Sequence, residues 1–79
     1  MGTKSNIVYQ YFKKEQGEET IFFQFDPIHA SGARLTVHKN GEMELEESKF
    51  DLDFPDQLKA DGFIEANPLE FHILINGLR

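Results

Sequence analysis

The chain has 79 residues, a net charge of -6 and no cysteine. A chain of this length holds one hydrophobic core and no second one, so residues 1–79 read as a single small globular domain. Without cysteine, disulfides, thiolate zinc sites, redox motifs and cysteine nucleophiles are excluded. No stretch approaches the roughly 20 apolar residues of a membrane span. The opening Met1-Gly2-Thr3-Lys4-Ser5-Asn6 lacks the apolar core of a signal peptide, so a cytoplasmic location is expected.

Eight phenylalanines and two tyrosines, set in patterned runs, supply the apolar area for a packed core. Charge is divided unevenly: residues 1–41 carry a net +1 and residues 42–79 a net -7. The acidic second half repels polyanions, which disfavours nucleic acid and favours a basic protein partner.

Alternation of apolar and polar residues runs through most of the chain and predicts strands. Residues 6–12 alternate Ile7, Tyr9 and Tyr11 with Val8, Gln10 and Phe12, and both sides are apolar enough to be partly buried. The polar stretch 13–19, with Gly17 inside it, reads as a loop, and residues 20–25 resume with Ile21, Phe23 and Phe25 in phase. The two runs form a predicted hairpin. The segment 26–32 then interrupts the pattern with Pro27 and Gly32.

Ala33, Leu35 and Val37 alternate with Arg34, Thr36 and His38 before Asn40-Gly41, and Met43 and Leu45 alternate with Glu42, Glu44 and Glu46 after it. Asn-Gly between two alternating runs is the strongest short hairpin signal, because a type I′ turn needs φ > 0 at both central positions. Phe50, Leu52 and Phe54 alternate with Asp51 and Asp53 as though the strand resumed after a bulge. Residues 55–61 suit a short helix, capped by Asp53, with Pro55 near its first position and Gly62 where it stops. Asn67-Pro68 reads as a turn, and residues 69–75 as a final strand in which Leu74 on the polar phase suggests a central position.

Several constellations bear on chemistry. Asp26, His29 and Ser31 supply an acid, a base and a nucleophile within one loop. A triad needs the imidazole held between the other two by separated rigid elements, and one loop ending in Gly32 does not provide them. The expectation is that Asp26 and Ser31 bond loop amides while His29 faces solvent. His29-Ala30-Ser31 is a single copy of the His-x-Ser/Thr pattern that some phosphoesterases use in pairs, and neither His38 nor His72 supplies the second. His38 and His72 sit on polar phases of predicted strands and, with Glu44, could hold a first-row metal if those strands paired. The plainer reading is a solvated face.

Asp51, Asp53 and Asp56 do not make a calcium loop, since Pro55 occupies its fifth position and no glycine follows. Tyr9, Tyr11 and Phe12 beside Lys13 and Lys14 have the composition of a stacking platform for single-stranded nucleic acid, but aromatic residues in strands are more often core. No glycine-rich phosphate loop is present.

The fold expected is mainly β within the α+β class: one antiparallel sheet of five or six strands, curled or a half-open barrel, with one short helix near 55–61. The function expected is that of a small soluble noncatalytic binding or accessory module. It engages another protein, basic in character, through an acidic sheet face at Glu42, Glu44, Glu46, Asp51 and Asp53 or through an open strand edge. The same acidic row serves solubility and edge protection, and a homodimer is compatible with it. No cofactor, bound metal or membrane partner is expected. The alternatives are a metal- or ligand-binding protein using exposed histidines and a weak single-stranded nucleic-acid binder.

Overall fold

The computed structural model describes residues 9–78. They form β1 (Gln10–Gln16), β2 (Glu19–Asp26), β3 (Ser31–Val37), β4 (Met43–Lys49), helix α1 (Phe54–Ala60), β5 (Ile64–Glu65) and helix α2 (Pro68–Leu78). The strands make one five-stranded antiparallel sheet in the order β4-β3-β2-β1-β5. The sheet is open and does not close into a barrel. Residues 6–8 of the first predicted strand lie outside the described residues.

Each long strand pairs with its neighbour in sequence, so three successive hairpins build most of the sheet. The first hairpin is tighter than expected. β1 continues through Lys13, Lys14 and Glu15 to Gln16, which pairs with Glu19 across the two-residue turn Gly17-Glu18. The charged run can remain a strand because its polar heads find partners at the surface. Lys13 Nζ lies 3.2 Å from Glu70 Oε1, and Lys14 Nζ donates to the Asp61 carbonyl.

The Asn40-Gly41 hairpin exists, but its turn is not type I′. The His38 carbonyl accepts from Gly41 N–H at 2.9 Å and His38 N–H donates to the Glu42 carbonyl at 2.8 Å, which encloses a three-residue loop, Lys39-Asn40-Gly41. Only Gly41 takes a positive φ there, +93°. This is the turn-plus-glycine geometry of a three-residue hairpin. Its register places Val37 opposite Met43 and Leu35 opposite Leu45, so the apolar side chains share one face of the sheet.

A helix covers part of each face. On one face Tyr11, Phe22, Ala33 and Leu35 pack beneath Phe71 of α2. On the other Phe12, Ile21 and Phe23 pack beneath Leu58 of α1, with Phe50, Phe54 and Phe63 around them. Burial from both sides explains why β2 reads Thr20-Ile21-Phe22-Phe23 with little polar alternation. Fully burying such a side chain is worth about 1.5–3 kcal/mol. Phe23 meets Phe54 and Phe63 with ring centroids 5.2 and 5.4 Å apart, and Phe50 stacks on Phe54 at 4.1 Å. Such aromatic pairs add about 0.5–1.5 kcal/mol beyond their area.

Helix α1 falls where expected and stops by a recognisable device. Gly62 has φ +97°, its N–H bonds the Lys59 carbonyl, and Phe63 N–H bonds the Leu58 carbonyl at 2.9 Å. This Schellman closure brings Phe63 back over Leu58, which makes glycine the fitting residue at 62. Two further expectations fail. Residues 50–54 do not resume a strand; 50–53 form an irregular link, and Phe54 opens α1.

Residues 69–75 are helical, not a central strand. Asn67 Oδ1 accepts Leu69 N–H at 2.9 Å, so Asn67 caps α2 and Pro68 occupies its first position. An all-apolar run satisfies helical and extended spacing alike, and here the cap decides. No helix among the described residues is long and apolar enough to cross a membrane.

Candidate functional site

β4 is the outermost strand on its side of the sheet, and it is exposed along nearly its whole length. Two bonds bracket its ladder with β3: His38 N–H to the Glu42 carbonyl and Phe50 N–H to the Ala30 carbonyl, both 2.8 Å. In an antiparallel ladder, bonded pairs alternate with non-bonded ones. Glu44, Glu46 and Ser48 therefore turn their backbone groups inward to Thr36, Arg34 and Gly32. Met43, Leu45, Glu47 and Lys49 turn theirs outward, to an edge that is free among the described residues.

The side chains of β4 divide by the two-residue period. Glu44 and Glu46 project from the face that carries α1. Met43, Leu45 and Glu47 project from the face that carries α2, and Leu45 retains 38% of its surface exposed. Beside Leu45 and Glu47 an open groove of about 380 Å³ separates the edge from Phe71, His72, Ile75 and Asn76 of α2.

The five acidic candidates do not form one stripe. Glu44 and Glu46 are adjacent on one face of β4, and Glu42 precedes the strand, where it closes the hairpin loop opposite His38. Asp51 and Asp53 lie beyond the other end of the strand, in the link to α1. There the Asp51 carbonyl accepts Phe54 N–H, and Asp53 accepts Gln57 Nε2 at 3.2 Å. They support the helix start. Glu47 joins the exposed acids of β4 from the opposite face.

His38 is held between two carboxylates. Its Nδ1 lies 3.0 Å from Glu19 Oε2 and its Nε2 3.1 Å from Glu44 Oε2. Carboxylates only accept, so both nitrogens carry protons when both bonds are made, and the ring is then an imidazolium. The bond to Glu44 raises the His38 pKa above the ordinary 6.5; partial burial opposes this, and the charges of Glu19 and Glu44 reinforce it. Glu19 is a partner that sequence reading missed, because only the β2–β3 register brings it to His38.

In the β2–β3 connection Asp26 and His29 meet and Ser31 does not join them. Asp26 is 7% exposed, and its carboxylate accepts from His29 Nδ1 at 2.6 Å and from the backbone N–H groups of Ile28 at 2.8 Å and His29 at 3.2 Å. Burial would raise the Asp26 pKa, but the bonds from His29 and Ile28 outweigh it and leave the pKa below the ordinary 3.8. The expectation that Asp26 bonds loop amides agrees with this geometry. His29 keeps 62% of its side chain exposed. No hydrogen bond links the Ser31 side chain to either residue among the described residues.

His72 lies on α2, not on a strand facing His38. Gln24 Nε2 donates to the Tyr11 hydroxyl at 3.0 Å, and that hydroxyl lies 3.0 Å from His72 Nε2. Among the described residues no three His, Asp or Glu side chains are placed to hold a metal ion. The aromatic platform is also taken apart: Tyr11 and Phe12 are buried on opposite faces, Lys13 pairs with Glu70, and Lys14 lies over the Phe63 ring. A second cleft, of about 460 Å³, lies between β1, α1 and the β2–β3 turn and is lined by all three prolines of the chain.

Comparison with known proteins returns no match, whether against protein-family models, curated proteins or solved structures.

Proposed function

We propose that this domain is a noncatalytic binding module that engages a basic segment of another protein through the free edge and acidic side chains of β4. The observation that carries this reading is an exposed seven-residue edge strand whose outward backbone groups alternate with the acidic side chains of Glu44 and Glu46 and include those of Glu47. Unpaired edge groups are a template for a further strand, and main-chain hydrogen bonds to them supply affinity. Carboxylates along the strand steer a cationic partner and raise its association rate.

The same carboxylates select against a second copy. Two β4 edges placed side by side bring like charges together across the seam, which is destabilising for directly opposed residues. An acidic edge of this kind is closed to its own kind and open to a basic strand.

The test is a titration of a labelled Lys/Arg-containing peptide of about ten residues against the protein, at low and at near-molar salt. A peptide with Glu in place of each base serves as control. Binding of the basic peptide alone is expected, weakened by salt because exposed pairs are screened over about 10 Å at 0.1 M and about 3 Å at 1 M. Replacing Glu44, Glu46 and Glu47 together by Gln should weaken it as well. Equal binding of both peptides, or of neither, would remove the reading.

A further inference from the structure

We infer that the partner docks as an antiparallel sixth strand on β4, and that it carries a defined side-chain alternation of basic, basic, apolar, basic, apolar in the N-to-C direction. The inference rests on the binding reading above and names the segment that reading leaves open.

The geometry follows from β4 itself. A strand added at the free edge bonds to the outward backbone groups of Met43, Leu45 and Glu47, the ones not used by β3. Residues directly opposite across an antiparallel pair share a face, with Cβ atoms about 4.5–5.5 Å apart. The residues facing Met43 and Leu45 therefore emerge on the α2 side, beside the apolar side chains of Met43 and Leu45. Leu45 is 38% exposed, a residue whose partial burial a neighbouring strand would complete.

The residues facing Glu44 and Glu46 emerge on the opposite face, and the residue facing Glu47 emerges on the α2 side next to its carboxylate. All three positions call for Lys or Arg, the one facing Glu44 meeting the carboxylate oxygen that does not bond His38. Running antiparallel, the partner meets Glu47 first and Met43 last, which sets the order. Polycations without this alternation meet the charges but leave Met43 and Leu45 uncovered.

Peptides containing Arg-Lys-Val-Lys-Val between threonines, with blocked termini, test the register. Four peptides compared by fluorescence anisotropy with the full chain suffice: the ordered peptide, a scramble of the same composition, and two single N-methylated versions. Methylating the valine that faces Leu45 removes a donor to β4 and places a methyl group in the seam, whereas methylating the lysine that faces Glu46 points the methyl group away.

The ordered peptide should bind at least tenfold more tightly than the scramble. The first methylation should cost at least tenfold and the second less than threefold. If all basic peptides bind alike and methylation position has no effect, the strand register is wrong while the acidic binding module stands. If no basic peptide binds, both are wrong.

Discussion

Replacing Phe71 and Ile73 by alanine, one at a time, distinguishes the helical closing segment from the strand its alternation suggests. On a strand with a two-residue period Phe71 and Ile73 share a face and should cost alike. On α2 they are about 200° apart. Phe71 is 3% exposed with its ring 5.4 Å from Tyr11, whereas Ile73 is 61% exposed. Truncating a buried phenylalanine to alanine costs about 3–5 kcal/mol, because lost transfer energy adds to the cavity left behind. For Ile73 the lost burial is small, and alanine has the higher helix propensity, so the change should fall within about 0.5 kcal/mol of neutral.

A domain of this length has a total stability of about 4–12 kcal/mol at about 0.05–0.15 kcal/mol per residue. The Phe71→Ala variant therefore loses a quarter or more of it. Urea unfolding followed by circular dichroism reads the difference. With a slope of about 1–3 kcal/mol per molar, the midpoint for Phe71→Ala should fall by at least about 1 M while Ile73→Ala stays near the wild type. A Phe71→Ala chain too unstable to fold, beside a folded Ile73→Ala chain, supports the helix equally. Costs within 1 kcal/mol of each other, with a slope of about 1–3 kcal/mol per molar, would refute the helical placement.

Other consequences follow from individual contacts. A Cβ at Gly32 would press into the Gln24 carbonyl oxygen and lie 3.2 Å from Phe25 Cα, so Gly32→Ala should force β2 and β3 apart. The expected cost is about 1–3 kcal/mol in the same urea assay, and no cost would contradict the strand spacing.

The His38 pKa is raised on folding, so its clamp contributes fully below the unfolded value of 6.5 and is lost as pH rises through the folded value. The thermal midpoint of the wild type relative to His38→Gln should therefore fall as pH rises past 6.5 and through the raised folded value, and parallel profiles would contradict the Glu19–His38–Glu44 bridge. The sign reverses at Asp26, whose pKa is lowered: its contribution is present above 3.8 and lost as pH falls through the folded value. Asp26→Asn should therefore be destabilising at neutral pH, with the deficit closing in acid, and a deficit that does not change with pH would argue against the carboxylate's role.

The sequence made some of this legible and hid the rest for identifiable reasons. The β3–β4 hairpin is readable because Asn40-Gly41 divides two clean alternations, although the turn geometry depends on how Leu35 and Leu45 settle opposite each other. Helix α1 is readable from Pro55 and Gly62, residues with strong local preferences. β1 runs past its expected end because Lys13 and Lys14 look like loop until Glu70 and the Asp61 carbonyl are brought to them.

Residues 69–75 mislead because Leu69, Phe71, Ile73 and Ile75 fit period two as well as the helix does. The signal that points the other way is Asn67-Pro68 followed by Glu70, a start pattern for a helix. In the site, Glu44 and Glu46 share a face simply by lying two apart on a strand. Asp51 and Asp53 leave the row because the strand ends at Lys49. The Glu19 contact with His38 depends on tertiary register and leaves no local trace.

The central claim is that β4 presents alternate backbone groups to an incoming strand, and residue-by-residue amide hydrogen exchange reads it directly. In the free protein, Glu44, Glu46 and Ser48 should exchange slowly and Met43, Leu45, Glu47 and Lys49 quickly. Saturation with the alternating basic peptide should slow Met43, Leu45 and Glu47 while leaving the inward set as it was. Uniform exchange along β4, or a fast set that stays fast under saturating peptide, would contradict the claim.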